Sequence, residues 1–201
     1  MSPAGGQRAA PRAGWFALAV LTVELAASGV WRLGGLPDAW RVPGRLEGAA
    51  SHPAAIGLHA LADGPVWGAA LTASVALLTA LLLEPRIGWR RSAWLFVAGT
   101  LAGGAVYFAL AQLVPELAGY PLLLPIGGLA AWAAAARATG RQTPPGTWTA
   151  RGLQTLWLLV LLAAVGVYFV AAQRATAWLL AALVGMGVHR LGRDPRTRAS
   201  A

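Results

Sequence analysis

Long apolar runs recur along this chain, separated by short connections that are rich in arginine. As a helix, a run of about 20 apolar residues is long enough to cross roughly 30 Å of hydrocarbon. The chain is 57% hydrophobic and only 11% charged, whereas about a quarter of the residues in soluble domains are charged. The sequence therefore predicts an all-α fold, a polytopic bundle of transmembrane helices.

Proline, glycine and arginine divide the bundle, residues 14–191, into six predicted spans. The stretch before residue 84 is too long for one span, and Gly64-Pro65 breaks it, because proline disfavours helix in the residue before it and removes a backbone donor. The remaining segments are predicted to be a disordered cytoplasmic tail (1–13), an interfacial outer segment (36–63) and a basic cytoplasmic tail (192–201). The six spans are residues 15–33, 66–83, 93–114, 120–136, 152–172 and 177–191.

All sixteen basic residues are arginines, and their positions predict the orientation. Counted with the adjoining helix ends, twelve lie in the tails and in the connections after the second and fourth spans, and four lie in the other connections. Arginine-rich loops stay in the cytoplasm, so both termini of this multi-pass chain are predicted to face the cytoplasm. The net charge of +9 thus indicates topology and not nucleic-acid binding. A cleaved signal peptide over the first span is an alternative, although Glu24 interrupts its apolar run.

Composition also excludes several kinds of chemistry. The chain has no cysteine, which rules out disulfides, thiolate metal sites and thiol nucleophiles. No Walker loop, HExxH, Gly-x-Ser-x-Gly or dinucleotide fingerprint occurs, so common hydrolase and nucleotide chemistry has no support. The sequence assigns no cofactor and leaves open whether the protein is an enzyme.

Glu24 is the first candidate for a functional residue. It lies about ten residues from the cytoplasmic start of its span, near the predicted bilayer midplane. A carboxylate at that depth costs several kcal/mol unless it is paired, wetted or protonated, so it is a candidate by default for binding a proton, a cation or a ligand amine. The alternative is a protonated glutamic acid that hydrogen-bonds to a neighbouring helix.

A second candidate cluster lies before the second span. His59 and Asp63 are four residues apart and share a face of a helix, so Asp63 could orient His59 toward a ligand, a proton or a metal, with His52 joining from the loop. Alternatively, Asp63 caps the helix that follows, and the histidines are solvated interfacial groups. His189, beside Arg190, is expected to reach the headgroups.

Four functions fit these residues. The first is a transporter, or a solute- or ion-binding transport component, with an outer site at His59 and Asp63 and a midplane acid at Glu24. The second is a membrane enzyme that acts on a lipid or isoprenoid, with Glu24 or Asp63 as the general acid. The third is a redox or cofactor-holding subunit, and the fourth is an accessory subunit of a membrane complex. The expected partners are the lipid bilayer of the cytoplasmic membrane and another membrane protein or a second copy of the chain.

Overall fold

The computed structural model describes residues 14–32, 66–113, 126–170 and 182–189, and all regular structure in these ranges is helical. Helix α2 continues into a π-helical segment (Thr79–Leu83) and a last α-helical turn (Glu84–Ile87). The helices are α1 (Trp15–Arg32), α2 (Val66–Leu78), α3 (Trp89–Leu113), α4 (Ile126–Gln142), α5 (Trp148–Val170) and α6 (182–189). The all-α prediction is confirmed for the described part of the chain.

Several helices are longer at their arginine-bearing ends than the predicted spans. Helices α3 and α5 each begin four residues earlier than predicted, and α4 continues six residues further, to Gln142. Arginine has a high helix propensity, so a helix can continue through arginine residues beyond its apolar part. An apolar run therefore shows which part of a helix is hydrophobic and does not show where the helix ends. The predicted loop after the second span is reduced to the turn at Gly88, whose φ of 83° favours glycine.

The helices form a closed ring in the order α1, α2, α5, α4, α3, with α3 packing back on α1. Helix α4 is the most deeply packed, since most of its side chains from Ile126 to Ala136 are buried. Around it lies the larger of two apolar clusters among the described residues, which includes the fully buried Leu83, Leu95, Trp132 and Leu153. Hydropathy alone left this order undetermined, because it reports which segments are apolar and not which faces meet.

Glycines allow three helices to approach closely at Gly127. A methyl group at Gly99 would lie 2.5 Å from the Gly127 carbonyl oxygen, and Gly103 lies on the same side of α3. On α6, Gly185 also lies against the Gly127 backbone. Small residues at spacings of four let helix backbones meet, as the Gly99–Gly103 spacing predicts.

Three aromatic side chains pack together inside the bundle, near the end where α1 and α3 begin. The Phe16 ring meets those of Phe96 and Trp132 edge-on, with centroids 6.0 and 6.2 Å apart. Trp132 is fully buried, and its indole Nε1 donates a hydrogen bond of 3.0 Å to the Ser92 carbonyl oxygen. This bond satisfies the polar atom of a large buried side chain, as buried indoles usually require, and it ties α4 to α3.

Among the described residues, one helix, Ala70–Ile87, is long and apolar enough to cross a membrane, and Trp15–Ala26 is a shorter apolar helix. A single such helix is weak evidence for a membrane protein, because a core helix of a soluble protein passes the same test. The six-span topology therefore stays a prediction and is taken up below as a proposal.

Candidate functional site

Glu24 lies inside the bundle. Ala17, Val20 and Glu24 follow one another at helical spacing on the buried face of α1, and this face packs against α2 and α3. Glu24 is 1% exposed. Its Oε2 atom has no hydrogen-bond partner among the described residues. A buried carboxyl oxygen without a partner is costly, so its presence calls for an explanation.

Thr72, on α2, lies at about the same height in the bundle as Glu24. Gly14 lies against the backbone of Ala80, and the two helices run antiparallel. At 1.5 Å per residue, Glu24 lies about 15 Å above Gly14, and Thr72 lies about 12 Å above Ala80. Thr72 is fully buried, and its hydroxyl has no partner in the described structure. Two unpaired oxygen-bearing side chains thus lie at similar heights in the bundle.

The hydroxyls in these helices fall into two groups. Those of Thr72, Thr79, Ser92 and Thr100 are buried and have no hydrogen-bond partner among the described residues. Thr22, Ser74 and Thr155 each donate to the carbonyl oxygen four residues earlier, at 2.7 to 3.0 Å. Such internal bonds are a common way for a serine or threonine hydroxyl in a helix to find an acceptor. Thr72 makes no such bond within the described residues, so its hydroxyl is one of the buried oxygens left without a protein partner.

No described cation lies at the height of Glu24. The described arginine side chains all lie near the inner end of the bundle, where α1, α3 and α5 begin and where α2 and α4 end: Arg86, Arg90, Arg91, Arg137, Arg141 and Arg151. Glu24 is therefore not the partner of an arginine in the described part of the chain. The candidate site is a buried acid, with the Thr72 hydroxyl at a similar height on α2.

The other predicted candidates cannot be placed beside Glu24. His52, His59 and Asp63 lie outside the described residues, and so does their proposed cluster. Within the described ranges, no three histidines, aspartates or glutamates come close enough to hold a metal ion. Their roles in binding a ligand, a proton or a metal stay predictions.

His189 differs from its predicted position. The sequence predicts that His189 reaches the headgroups, but its side chain is buried, with 5% of its surface exposed. Gly185 is one turn earlier on the same face of α6 and lies against Gly127 of α4, so this face of α6 is turned into the bundle.

Glu84 is an important buried acid that the sequence analysis placed in a loop. It is 2% exposed and directly follows the π-helical segment. Its Oε1 accepts a hydrogen bond from the Phe16 backbone N–H at 3.0 Å, and its Oε2 accepts one from the Ala17 N–H at 2.9 Å. These donors belong to the first turn of α1, where no intrahelical partner exists. The Glu84 carboxylate thus caps α1 from a position 67 residues later in the chain.

A signal for this cap exists in the sequence. The residues before Trp15 are Ala13 and Gly14, and neither has a side chain that can accept from the first turn. A helix start without a local cap, in an apolar setting, needs an acceptor from elsewhere. Glu84, at the same predicted side of the membrane, is a suitable acceptor, because a carboxylate also interacts favourably with the positive end of the helix dipole.

Comparisons with known proteins add nothing to this geometry. No protein-family model, no curated protein and no solved structure matches the chain. The function has to be inferred from the described residues themselves: the buried Glu24, the unpaired Thr72 hydroxyl and the capping Glu84.

Proposed function

We propose that the chain is a multi-pass protein of the cytoplasmic membrane, a bundle of six spans with both termini in the cytoplasm. Support comes from the outward faces of the helices. On α3 the exposed side chains include Trp94, Val97 and Leu101, which follow at helical spacing, and on α5 they include Leu158 and Leu162. Large apolar side chains on successive turns of an outer face suit contact with lipid, because exposing a contiguous apolar patch to water is unfavourable in free energy.

The distribution of polar groups supports the same proposal. The exposed arginines and three exposed tryptophans, Trp15, Trp89 and Trp148, gather at one end of the bundle. Tryptophan is enriched at membrane interfaces, and arginine is enriched on the cytoplasmic side. This end of the bundle would therefore face the cytoplasm.

The cysteine-free chain offers a direct test of this orientation. In the variant Gln142→Cys, at the exposed end of α4, a membrane-impermeant maleimide should react only after the cytoplasmic side is opened. In Asp38→Cys, in the predicted outer segment, it should react with intact cells. Equal labelling of Gln142→Cys from outside would overturn the orientation, and loss of the protein from membranes washed in alkaline carbonate would overturn the membrane placement.

Within that membrane, we propose that the protein is a transporter or the ion-binding part of one, in which Glu24 carries a proton or a cation. The observation that carries this proposal is the complete burial of Glu24 together with its unpartnered Oε2. An acid kept at such depth without a described counter-charge is expensive to maintain. Reversible binding of a cation or a proton at Glu24, with Thr72 at a similar height as a further oxygen-bearing side chain, accounts for that cost.

Charge movement tests the function across several classes of solute at once. Proteoliposomes on a solid-supported membrane can be exposed to amino acids, sugars, metal cations and pH steps in turn. A transient current should follow one of these classes in the wild type, disappear in Glu24→Gln, and persist in the control Thr22→Val. Thr22 is on the same helix but is exposed. Currents of wild-type size in Glu24→Gln would remove Glu24 from the mechanism, and silence of the wild type toward every class would overturn the transport proposal.

A further inference from the structure

Exposed arginines and tryptophans form a rim around the inner end of the bundle. The described inner ends of α1 to α5 each contribute at least one member. We call this set the rim: Trp15, Arg86, Trp89, Arg90, Arg137, Arg141, Trp148 and Arg151. The Arg90 guanidinium lies over the Trp89 ring, 5.6 Å from its centroid.

The positive charge of the rim meets no exposed acid among the described residues. Glu24 and Glu84 are the acidic side chains in the described ranges. Glu24 is buried about 15 Å from this end, and both oxygens of Glu84 accept from the start of α1. Arg86 Nη1 donates to the Leu82 carbonyl oxygen at 2.6 Å. No acid of the described part of the protein neutralises the charge of the exposed guanidiniums, so they can bind an external anion.

The rim is densest where α4 and α5 meet. Arg137 and Arg141 are one turn apart on the same face of α4. Arg151 lies in the first turn of α5, and the two helices are in contact there, because a methyl group at Gly140 would lie 3.5 Å from the Leu153 Cβ. The Arg137 guanidinium lies over the Trp157 ring at 4.8 Å, an arrangement that orients it. We call Arg137, Arg141 and Arg151 the α4–α5 patch.

We infer that the α4–α5 patch binds the phosphate of an anionic phospholipid in the inner leaflet. Arginine donates two parallel hydrogen bonds to a phosphate, and the exposed tryptophans of the rim suit the depth of the headgroups. The acyl chains of the lipid would lie along the exposed leucines of α5, such as Leu158 and Leu162. This inference rests on the membrane placement proposed above, but not on the role of Glu24.

Native mass spectrometry of the detergent-solubilised full chain tests the inference. The protein is titrated with phosphatidylglycerol and, separately, with phosphatidylcholine of the same acyl chains. The wild type should retain phosphatidylglycerol preferentially. The double variant Arg137→Gln/Arg141→Gln should lose about tenfold or more in phosphatidylglycerol affinity, since each arginine near a lipid surface contributes on the order of 1 kcal/mol.

A second double variant controls for net charge. Arg86→Gln/Arg90→Gln removes the same charge from the α2–α3 side of the rim and should keep most of the affinity. Equal retention of the two lipids by the wild type, equal losses in the two double variants, or displacement of the lipid by millimolar inorganic phosphate would overturn the inference. Release of the protein from membranes by alkaline carbonate would instead overturn the membrane placement, so the two failures are distinguishable.

Discussion

Replacing Glu84 by alanine should detach the start of α1 from the rest of the bundle. The substitution removes two hydrogen bonds, from the Phe16 and Ala17 backbone N–H groups, of 3.0 and 2.9 Å. Hydrogen bonds to charged groups are each worth about 1.5–3 kcal/mol. Because the bond to Phe16 is only partly buried, the lower half of the range applies, and we expect a loss of about 3–4 kcal/mol in the free energy of unfolding.

Two measurements check this value. For a chain of this size, the loss corresponds to a decrease of roughly 6–16 °C in the melting temperature, which intrinsic tryptophan fluorescence can follow. Hydrogen exchange is the more local measurement, because the amides of Phe16 and Ala17 should exchange on the order of a hundredfold faster. The amide of Leu18, which donates to the Gly14 carbonyl oxygen at 3.0 Å, is the internal reference.

Two further variants sharpen the test. Glu84→Gln keeps one acceptor oxygen and should lose about half as much stability as Glu84→Ala. Arg86→Gln removes a neighbouring exposed charge and the hydrogen bond from Arg86 Nη1 to the Leu82 carbonyl oxygen. Because neither involves the start of α1, the exchange of the Phe16 and Ala17 amides should stay unchanged. Wild-type exchange and melting in Glu84→Ala would refute the assignment of Glu84 as the cap of α1.

Three other substitutions test the remaining structure. Glu24→Leu should leave the melting temperature unchanged or raise it, since replacing a buried polar group that lacks a full set of partners by an apolar one is often stabilising. A decrease of more than about 2 kcal/mol in the free energy of unfolding would instead indicate that Glu24 has a structural role. Gly127→Ala should cost about 1–3 kcal/mol through overpacking at the junction of three helices, while Gly29→Ala, with open space around it, should cost nothing comparable in the same thermal assay. Trp132→Phe loses the hydrogen bond to the Ser92 carbonyl oxygen and should cost about 1 kcal/mol, and no change in melting temperature would contradict this.

The positions of the helices could be predicted from the sequence better than their ends. The first predicted span, residues 15–33, agrees closely with α1, Trp15–Arg32, and the second, 66–83, matches α2 with its π-helical segment. The start of α3 at Trp89 was missed, because Arg90 and Arg91 look like loop residues when hydrophobicity alone is considered. They extend the helix instead, since arginine has a high helix propensity.

The candidate site was predictable only in part. The position of Glu24 inside an apolar run is enough to identify it as a candidate from the sequence, since burial of a carboxyl group is costly in every fold. Thr72 carried no such signal, because threonine is common in apolar helices and usually satisfies its own hydroxyl. The role of Glu84 depends on the end of α2 meeting the start of α1, and this meeting is set by the tertiary packing of the two helices.

The cap on α1 has a consequence for the order of events during synthesis. The first turn of α1 is made long before Glu84, so a nascent chain holds α1 with two open N–H groups while the next 67 residues are translated. Only when Glu84 is available can its carboxylate accept from these N–H groups and join the start of α1 to the end of α2. In chains that end before residue 84, the first turn of α1 would therefore lack its cap. Its amino end should be more accessible to proteases than in the full chain.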